Sequence, residues 1–404
     1  MLRSVEPVFQ DFPFALHLAW PMALALAWLA GEVAHRWNVP RVSTYGLVGF
    51  VLAQSQLGLL PALTGDTGPL LPNLAFGLIL FEFGYRINLR WLRINRWLAA
   101  TGLLEAGLTF AAVYLLVRWW GGANLTALLL ASLSMSTSPA PIMRVINEHR
   151  SSGQVTERIL HLTAINCVLA VFAFKVVLGF WTFDTSGNLW LAISNSLVVL
   201  AVSAGLGALF GVVAPAVLRA TGRLSQDATL AFAVAILVLV GLTHAFKLSP
   251  LLATLTFGLV ARHRRVALNR TQRNFGALGD LLAVLLFVYV ASTIAWPRVV
   301  TGLALALALM AVRAVTKVAA VAALSRASGT TWRKGALAGL GLMPISVFVI
   351  LLLEQTRYLG VDLIDQLAPL AAATLLLELL GPVATQQALR WAGEAAQEEP
   401  KDAA

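Results

Sequence analysis

Cysteine and charged residues are scarce in this chain. Of 404 residues only Cys167 is a cysteine, and 12% are charged. A single cysteine excludes an intrachain disulfide and any zinc or iron–sulfur site built from several cysteines. The sequence also lacks HExxH, paired CxxC and P-loop motifs. It therefore predicts no enzyme, no metal site and no cofactor.

Long apolar runs are what the chain has instead. Apolar residues make up 59% of it and recur in runs of about 17 to 25 residues, the length of a helix that crosses a bilayer. This pattern predicts an all-α polytopic membrane protein with about 13 transmembrane helices. The predicted spans are 14–35, 42–60, 70–87, 97–117, 123–147, 157–181, 189–218, 227–246, 249–262, 276–296, 299–325, 333–355 and 363–390.

Basic residues alternate between the two sides of this arrangement. Of the 29 Lys and Arg residues, 21 fall on one side and five on the other, while Lys175, Arg313 and Lys317 fall inside spans. Because basic loops stay in the cytoplasm, the N-terminus is predicted outside and the C-terminus inside, in the inner (cytoplasmic) membrane of a cell. The net charge of +10 then follows from topology, and no nucleic-acid partner is predicted.

Two spans contain sequence that is poorly compatible with a continuous helix. The fifth holds "SMSTSPAP" (134–141) and the twelfth holds "GLGLMPIS" (339–346). Pro139 and Pro344 are 205 residues apart, and the same offset relates spans 2–6 to spans 9–13. The second span runs outward and the ninth inward, so the two units are inverted. Inverted repeats with crossed, discontinuous helices are typical of secondary transporters.

The repeats define the predicted domain organisation. One transmembrane domain covers 1–392, with inverted repeats at approximately 42–181 and 249–390, and a short cytoplasmic tail covers 393–404.

The prolines of the two breaks point to a binding site. A proline frees backbone groups that lipid cannot satisfy, so they must face protein, water or a bound ion. Thr137 and Ser138 add hydroxyl oxygens beside Pro139, and such oxygens suit a hard cation or its water. Thr137, Ser138, Pro139 and Pro344 are therefore predicted site residues. The alternative is a pair of proline kinks repaired by Ser/Thr hydroxyls.

Several fragments resemble the cation/proton antiporter superfamily, in particular the membrane domain of sodium/hydrogen exchangers. They are "LFEFGYRINLRWLR" (80–93), the segment 132–172, "GALGDLLAVLLFVYVAS" (276–292), the segment 311–347 and "ELLGPVATQQAL" (378–389). The resemblance implies a homodimer in which a mobile core domain exchanges a monovalent cation, sodium or potassium, for protons.

The chain departs from this family within "HLTAINCVLAVFAFK" (161–175). Family members usually carry an aspartate in this core helix, commonly as Asn-Asp or Asp-Asp, and it binds cation and proton in turn. Here Asn166 matches the first position, but Cys167 occupies the second. A thiol is a soft ligand that is poorly matched to sodium or potassium, so Cys167 does not simply replace the acid. Both residues are nevertheless assigned to the predicted site.

Two basic residues lie deep in the eleventh span. Arg313 and Lys317 are four residues apart and share a helix face. Left unpaired at a bilayer centre, each would cost about 3 kcal/mol, which implies an internal acid, a water cavity or a substrate. The resemblance implies a basic residue here that neutralises or competes at the ion site. Lys317 matches best, and a shift of one turn would select Arg313. A purely structural salt bridge is the alternative.

Acids that could serve proton coupling are few. Glu82 precedes Arg86 by four residues, which favours a local ion pair, and Glu105 lies about 12 Å into its span. Both are predicted charge-compensating or proton-coupling residues. Asp280 and Glu378 are further candidates, and one sequence does not say which acid meets which base.

Lys175 lies eight residues beyond Cys167 and six before Trp181, near the outer interface. One interpretation is that its ammonium snorkels to the interface. The other is that it supplies positive charge to an outward vestibule.

Three functions remain open. The leading one is alternating-access antiport of a monovalent cation against protons. The second keeps the fold but transports an anion or a neutral solute, which the missing aspartate and the retained cations would suit. The third is a transport-dead relative that acts as a sensor or partner subunit.

Overall fold

The protein is described by a computed structural model that covers residues 14–61, 70–182, 189–220, 228–264, 275–345, 349–350 and 368–395. Helices dominate these ranges, which confirms the all-α fold class. They are α1 (Phe14–Arg36), α2 (Arg41–Leu52), α3 (Leu70–Arg86), α4 (Leu89–Ile94), α5 (Arg96–Trp119), α6 (Asn124–Ser134), α7 (Pro139–Glu148), α8 (Gln154–Thr182), α9 (Leu189–Ala220), α10 (Ala228–Ala245), α11 (Pro250–His263), α12 (Gly276–Ser292), α13 (Trp296–Ala323), α14 (Trp332–Gly341) and α15 (Ala368–Trp391).

Each predicted span contains at least one of these helices. Eight helical stretches in the described residues are long and apolar enough to cross a membrane by length and composition. The chain is therefore a polytopic membrane protein. The total of 13 spans and the inverted repeats stay predictions.

Polar side chains fix where several helices begin. At each of four N-termini, a side-chain oxygen accepts a hydrogen bond from a backbone N–H of the first turn, which otherwise has no partner inside the helix. The capping residues are Asn88 for α4, Asn95 for α5, Ser249 for α11 and Thr331 for α14.

The second predicted span is shorter than the hydropathy pattern indicates. Helix α2 ends at Leu52, and the chain turns back so that the N–H of Leu60 donates to the Leu52 carbonyl at 2.8 Å. Gly58 has a φ of +69°, which a glycine adopts without strain. The apolar residues after Leu52 therefore belong to a turn, in which Leu60 is buried and Leu57 and Leu59 are exposed. A hydropathy pattern does not distinguish such a turn from a helix.

Glycines bring α3 and α11 into backbone contact. A Cβ atom on Gly84 would lie 2.1 Å from the Leu255 carbonyl oxygen, and one on Gly258 would lie 2.0 Å from the Phe81 carbonyl oxygen. Each helix thus presents a glycine to the backbone of the other. Such close approach is how small residues let membrane helices pack.

The helix break predicted at 134–141 is confirmed. Helix α6 ends at Ser134, α7 begins at Pro139, and residues 135–138 between them are not helical. At the second predicted break, α14 ends at Gly341 and residues 342–345 are not helical. Residues 346–348 and 351–367 lie outside the described part of the chain, so the rest of the predicted twelfth span is not described.

Candidate functional site at the crossing of the two breaks

The two non-helical segments contact each other directly. The backbone N–H of Ser138 donates to the Pro344 carbonyl oxygen at 2.8 Å, and the Thr137 hydroxyl donates to the Leu342 carbonyl oxygen at 3.3 Å. Thr137 and Ser138 are completely buried. The interrupted helices therefore cross at these residues, and we call this place the crossing.

Two glycines let the second break reach the first. A Cβ atom on Gly339 of α14 would lie 2.7 Å from the Lys317 carbonyl oxygen of α13, and one on Gly381 of α15 would lie 2.9 Å from the Pro344 Cα atom. The break is thus held against the backbones of α13 and α15 at distances that a larger residue would prevent.

Arg313 holds both breaks through backbone carbonyls. Its Nε donates to the Ser134 carbonyl oxygen at 2.8 Å and its Nη1 to that of Met343 at 2.5 Å. Its Nη2 donates to the carbonyl oxygens of Ser136 at 2.5 Å and Leu342 at 3.2 Å. Four of the five guanidinium N–H donors are therefore used, two on each break. These carbonyls have lost their helical partners, and Arg313 replaces them.

Lys317 forms the ion pair of the crossing. Its ammonium group contacts the Oε1 atom of Glu105 on α5, and both side chains are completely buried. It also donates to the Met135 carbonyl oxygen at 3.3 Å and to the Thr137 hydroxyl oxygen at 3.2 Å. The acid that meets a central base is thus Glu105, which the sequence left undecided.

Thr137 connects Lys317, the core helix α8 and the second break. Its hydroxyl oxygen accepts hydrogen bonds from Lys317 and from the Asn166 side-chain amide at 3.2 Å each, and its hydrogen goes to Leu342. One donor and two acceptor sites are all that a hydroxyl offers, so Thr137 is saturated. The Cys167 thiol donates to the Thr137 carbonyl oxygen at 3.2 Å. Cys167 thus acts here as a neutral hydrogen-bond donor.

Some buried oxygens at the crossing have no protein partner among the residues that the structure describes. They are Glu105 Oε2, Ser138 Oγ and Asn166 Oδ1, on side chains that take part in the contacts described above. Buried polar atoms normally find a partner, so unsatisfied oxygens grouped in this way favour a bound water or cation. Oxygen ligands suit hard cations.

The structure separates the other predicted residues from the crossing. Glu82 pairs with Arg86 at 3.0 Å and accepts from the Asn147 amide at 3.0 Å, which is the local ion pair that the sequence favoured. Lys175 is half-buried on α8, and no described contact joins it to the crossing. A proton-coupling role for Glu82 and a vestibule role for Lys175 stay predictions.

Sequence reasoning missed the threonines around Glu105. The Thr109 hydroxyl donates to Glu105 Oε1 at 3.3 Å and lies 3.1 Å from the Thr316 hydroxyl oxygen. The only signal was that Thr109 lies four residues from Glu105 on the same helix face. Threonines are common in membrane helices, so this signal is weak.

An open cavity lies near the predicted cytoplasmic end of α7. It has a volume of ≈ 940 Å³ and is lined by residues that include Arg41, Arg144, Asn147, Glu148 and Asp280. Since α7 begins at the crossing, this cavity lies along the helix that leads from the crossing to the predicted cytoplasmic side. No group of three or more His, Cys, Asp or Glu side chains that could hold a metal ion occurs in the described residues.

Comparison with known protein families identifies the family of this chain. The family described as "Sodium/hydrogen exchanger, transmembrane" matches residues 22–391, which is most of the chain. The chain belongs to this family. The resemblance seen in the sequence is thereby confirmed, and this sodium/hydrogen exchanger family member is a transporter and not an enzyme.

Solved structures show the same fold. The sodium proton antiporter MjNhaP1 from Methanocaldococcus jannaschii, determined at pH 8, has a TM-score of 0.67 at 16% sequence identity, with 94% of this chain and 98% of that chain covered. A second structure of that antiporter, from an electron-microscopy map, gives a TM-score of 0.65 at 17% identity, with 93% and 95% covered. At these identities the likeness establishes the fold alone. No curated protein sequence matches the chain significantly.

Proposed function

We propose that this chain is a monovalent cation:proton antiporter that works by alternating access, with sodium or potassium as the cation. The observation that carries the proposal is the buried Lys317–Glu105 pair at the crossing of two interrupted helices. Family membership and the fold of a sodium proton antiporter support it.

The pair offers a route to exchange of charge. A cation that binds the Glu105 carboxylate takes the place of the Lys317 ammonium, which then lies buried without a counter-charge. A buried ammonium without a partner is costly, so it releases its proton to water and becomes a neutral amine. When the cation leaves, the amine takes up a proton and the pair forms again. One cation is exchanged for one proton on this pair.

Glu105 takes the anionic role in this proposal. Asn166 and Cys167 contact Thr137 from α8, but neither carries charge, so the carboxylate comes from α5 instead. Ser138 and Asn166 add oxygens without a described partner, and the Thr137 oxygen gains a free acceptor site when Lys317 is displaced. Arg313 has its donors on the carbonyls of both breaks and keeps Pro139 and Pro344 in place, so it positions the site and does not titrate in the cycle.

A second function has one observation in its favour. If the three buried charged side chains at the crossing, Glu105, Arg313 and Lys317, are all ionised, they sum to +1. An excess of positive charge suits an anion better than a cation, so transport of an anion or a neutral solute is the alternative.

Membrane placement and assembly complete the proposal. The excess of basic residues on one side supports insertion in the inner (cytoplasmic) membrane, with the N-terminus outside and the C-terminus inside. The family resemblance supports a homodimer. The 205-residue offset between spans supports a transmembrane domain covering 1–392, with inverted repeats at approximately 42–181 and 249–390 and a tail at 393–404.

Proteoliposomes test the antiport proposal. The purified protein is reconstituted with a preset pH gradient, and sodium, potassium or lithium chloride is added outside. We expect cation-dependent dissipation of the gradient, which is lost in Glu105→Gln and Lys317→Met. A matched control is Glu157→Gln, the same chemical change at a half-exposed side chain at the start of α8.

Other outcomes would reject this function. If wild-type vesicles respond to none of the three cations over a broad pH range, cation:proton antiport is wrong. Chloride- or solute-dependent flux that disappears in Lys317→Met would establish the alternative.

A further inference from the structure

A second deeply buried carboxylate lies away from the Lys317–Glu105 pair. Glu378 of α15 is only 2% exposed, and neither of its oxygens has a hydrogen-bond partner among the residues that the structure describes. Glu105 differs, because it has Lys317 and Thr109 as partners. A buried carboxylate without a donor or a counter-charge is unstable as an anion. The neutral acid is the form that this packing tolerates.

Glu378 lies close in α15 to the residues that contact the second break. Gly381 and Thr385 lie three and seven residues later in α15, so all three side chains share one helix face. A Cβ atom on Gly381 would lie 2.9 Å from the Pro344 Cα atom, and the Thr385 hydroxyl donates to the Gly341 carbonyl oxygen at 3.0 Å. Glu378 is thus about 4.5 Å further along the face that contacts the break.

Helix α2 shapes the slot in which Glu378 lies. A Cβ atom on Gly46 would lie only 2.6 Å from the Glu378 Cγ atom and 3.2 Å from its Oε1 atom. The Ser43 hydroxyl, one turn earlier in α2, donates to the Leu379 carbonyl oxygen at 2.9 Å and fixes the two helices side by side. The absence of a side chain at Gly46 therefore makes the room that the carboxyl group fills.

Charged and titratable groups on the helices packed against α15 are engaged elsewhere. Arg313 and Lys317 of α13 are bonded to other groups at the crossing. The ring of Tyr45 of α2 packs on Gly31. Five others have partners other than Glu378: Arg41 of α2 with Glu32, Arg144 of α7 with Asp280, Glu148 of α7 with His35, Arg333 of α14 with the Trp391 carbonyl, and Lys334 of α14 with Gln154. Arg298 lies in the first turn of α13, about 22 Å along that helix from Arg313.

We propose that Glu378, in the slot between α2 and α15 beside the second break, is a further ion site that exchanges a bound proton for a monovalent cation. The carboxylic acid loses its proton to water and the carboxylate binds the cation, so charge in the slot is unchanged. The proposal rests on the proposed antiport function and adds a second exchange site to it, separate from the Lys317–Glu105 pair.

Infrared difference spectroscopy tests the site without transport. The carbonyl stretch of a protonated carboxylic acid is distinct from the bands of a carboxylate or an amide. We expect a protonated-carboxyl band in sodium-free wild-type protein in lipid, its loss on addition of sodium chloride, and its absence from Glu378→Gln. Glu157→Gln, a matched change on an exposed carboxylate, keeps both the band and its response to sodium.

A conservative variant keeps the test informative if Glu378→Gln does not fold. Glu378→Asp keeps the acid and shortens it by one methylene, so the band is expected to shift in frequency and still respond to sodium. A shifted band assigns the signal to Glu378 even when Glu378→Gln is not recovered folded. A band unchanged in both variants, or one that does not respond to sodium, overturns the proposal.

Transport measurements distinguish the Glu378 proposal from the proposal of cation:proton antiport. In proteoliposomes we expect Glu378→Gln to lower sodium-dependent proton flux at least about tenfold, with partial recovery in Glu378→Asp. If wild-type vesicles show no flux with sodium, potassium or lithium but the band disappears with sodium, the antiport function fails and the Glu378 site stands. If wild-type flux is normal and Glu378→Gln retains it fully, the Glu378 site fails and the antiport function stands.

Discussion

Charged side chains at the crossing and at the predicted cytoplasmic end of α7 differ in their burial and in their partners. At the crossing, Lys317 pairs with the buried acid Glu105, while Arg313, which is also buried, is held by carbonyl oxygens alone. At the end of α7, partly exposed side chains form acid–base pairs with neighbouring helices, and these are Arg144–Asp280 to α12, Glu148–His35 to α1 and Glu148–Arg41 to α2.

The difference follows from access to water. A charge in the interior depends on each of its partners, because bulk water does not replace a lost one. Partly exposed pairs are hydrated and screened by salt, so they break and form again at little cost. Stability at the crossing therefore depends more on each single contact than stability at the end of α7 does.

The largest expected effect is at Arg313. Arg313→Met removes the donors of four carbonyl groups, and we expect a loss of ~3–5 kcal/mol in stability or failure to fold. The measurement is the thermal unfolding midpoint of the protein in detergent. Arg144→Met is the matched change at the end of α7, where we expect a loss below ~1 kcal/mol. Equal losses in both variants would contradict the difference between the two regions.

The next largest effect concerns the Lys317–Glu105 pair. Each single variant, Lys317→Met or Glu105→Gln, leaves one charge buried without its partner, at a cost of ~3–5 kcal/mol. The double variant removes both charges, and we expect it to be more stable than the less stable single variant, with a coupling energy of ~1–3 kcal/mol. A double-mutant cycle of unfolding midpoints measures this coupling. Strictly additive effects would show that the two side chains do not stabilise each other.

A smaller effect is expected from Cys167→Asp. The new carboxylate would lie beside Thr137 and offset the excess positive charge at the crossing, so we expect about tenfold less sodium to give half-maximal flux, equivalent to ~1.4 kcal/mol. Cys167→Ser is the control, because a hydroxyl preserves the hydrogen bond to the Thr137 carbonyl oxygen without adding charge. Equal sodium dependence in the two variants would show that added charge at this position does not reach the cation.

The smallest effect is at the Arg144–Asp280 pair. The Asp280 side chain is 68% exposed, so Asp280→Asn is expected to change stability by ~0.2–1 kcal/mol. This difference should shrink as salt rises, because screening weakens an exposed pair. Unfolding midpoints of wild type and variant at low and high salt measure it. The difference caused by Glu105→Gln should stay nearly constant with salt, and a salt-sensitive effect there would place Glu105 in contact with water.

Much of the fold was predictable from the sequence because it depends on local properties. Apolar run length indicated where the helices lie, and Pro139 marked the first break where α7 begins. The turn after Leu52 was predicted wrongly as part of a helical span, because apolar residues in a turn and in a helix have the same hydropathy.

The site was predictable only in its residue types. Sequence alone singled out Thr137, Arg313, Lys317 and Glu105 as buried polar groups, and the structure brings them together. It left open which acid meets which base, because Glu105 and Lys317 are 212 residues apart and no periodicity connects them.

The sequence by itself determined the membrane character, the position of the first break and the scarcity of acid near the core helix. These follow from composition and from the backbone chemistry of proline. Only the tertiary structure decided that Glu105 is the partner of Lys317, that Arg313 is held by carbonyls of both breaks, and that Glu378 has no described partner. The reason is that these contacts depend on how whole helices rotate and approach, which glycines such as Gly46 and Gly339 permit.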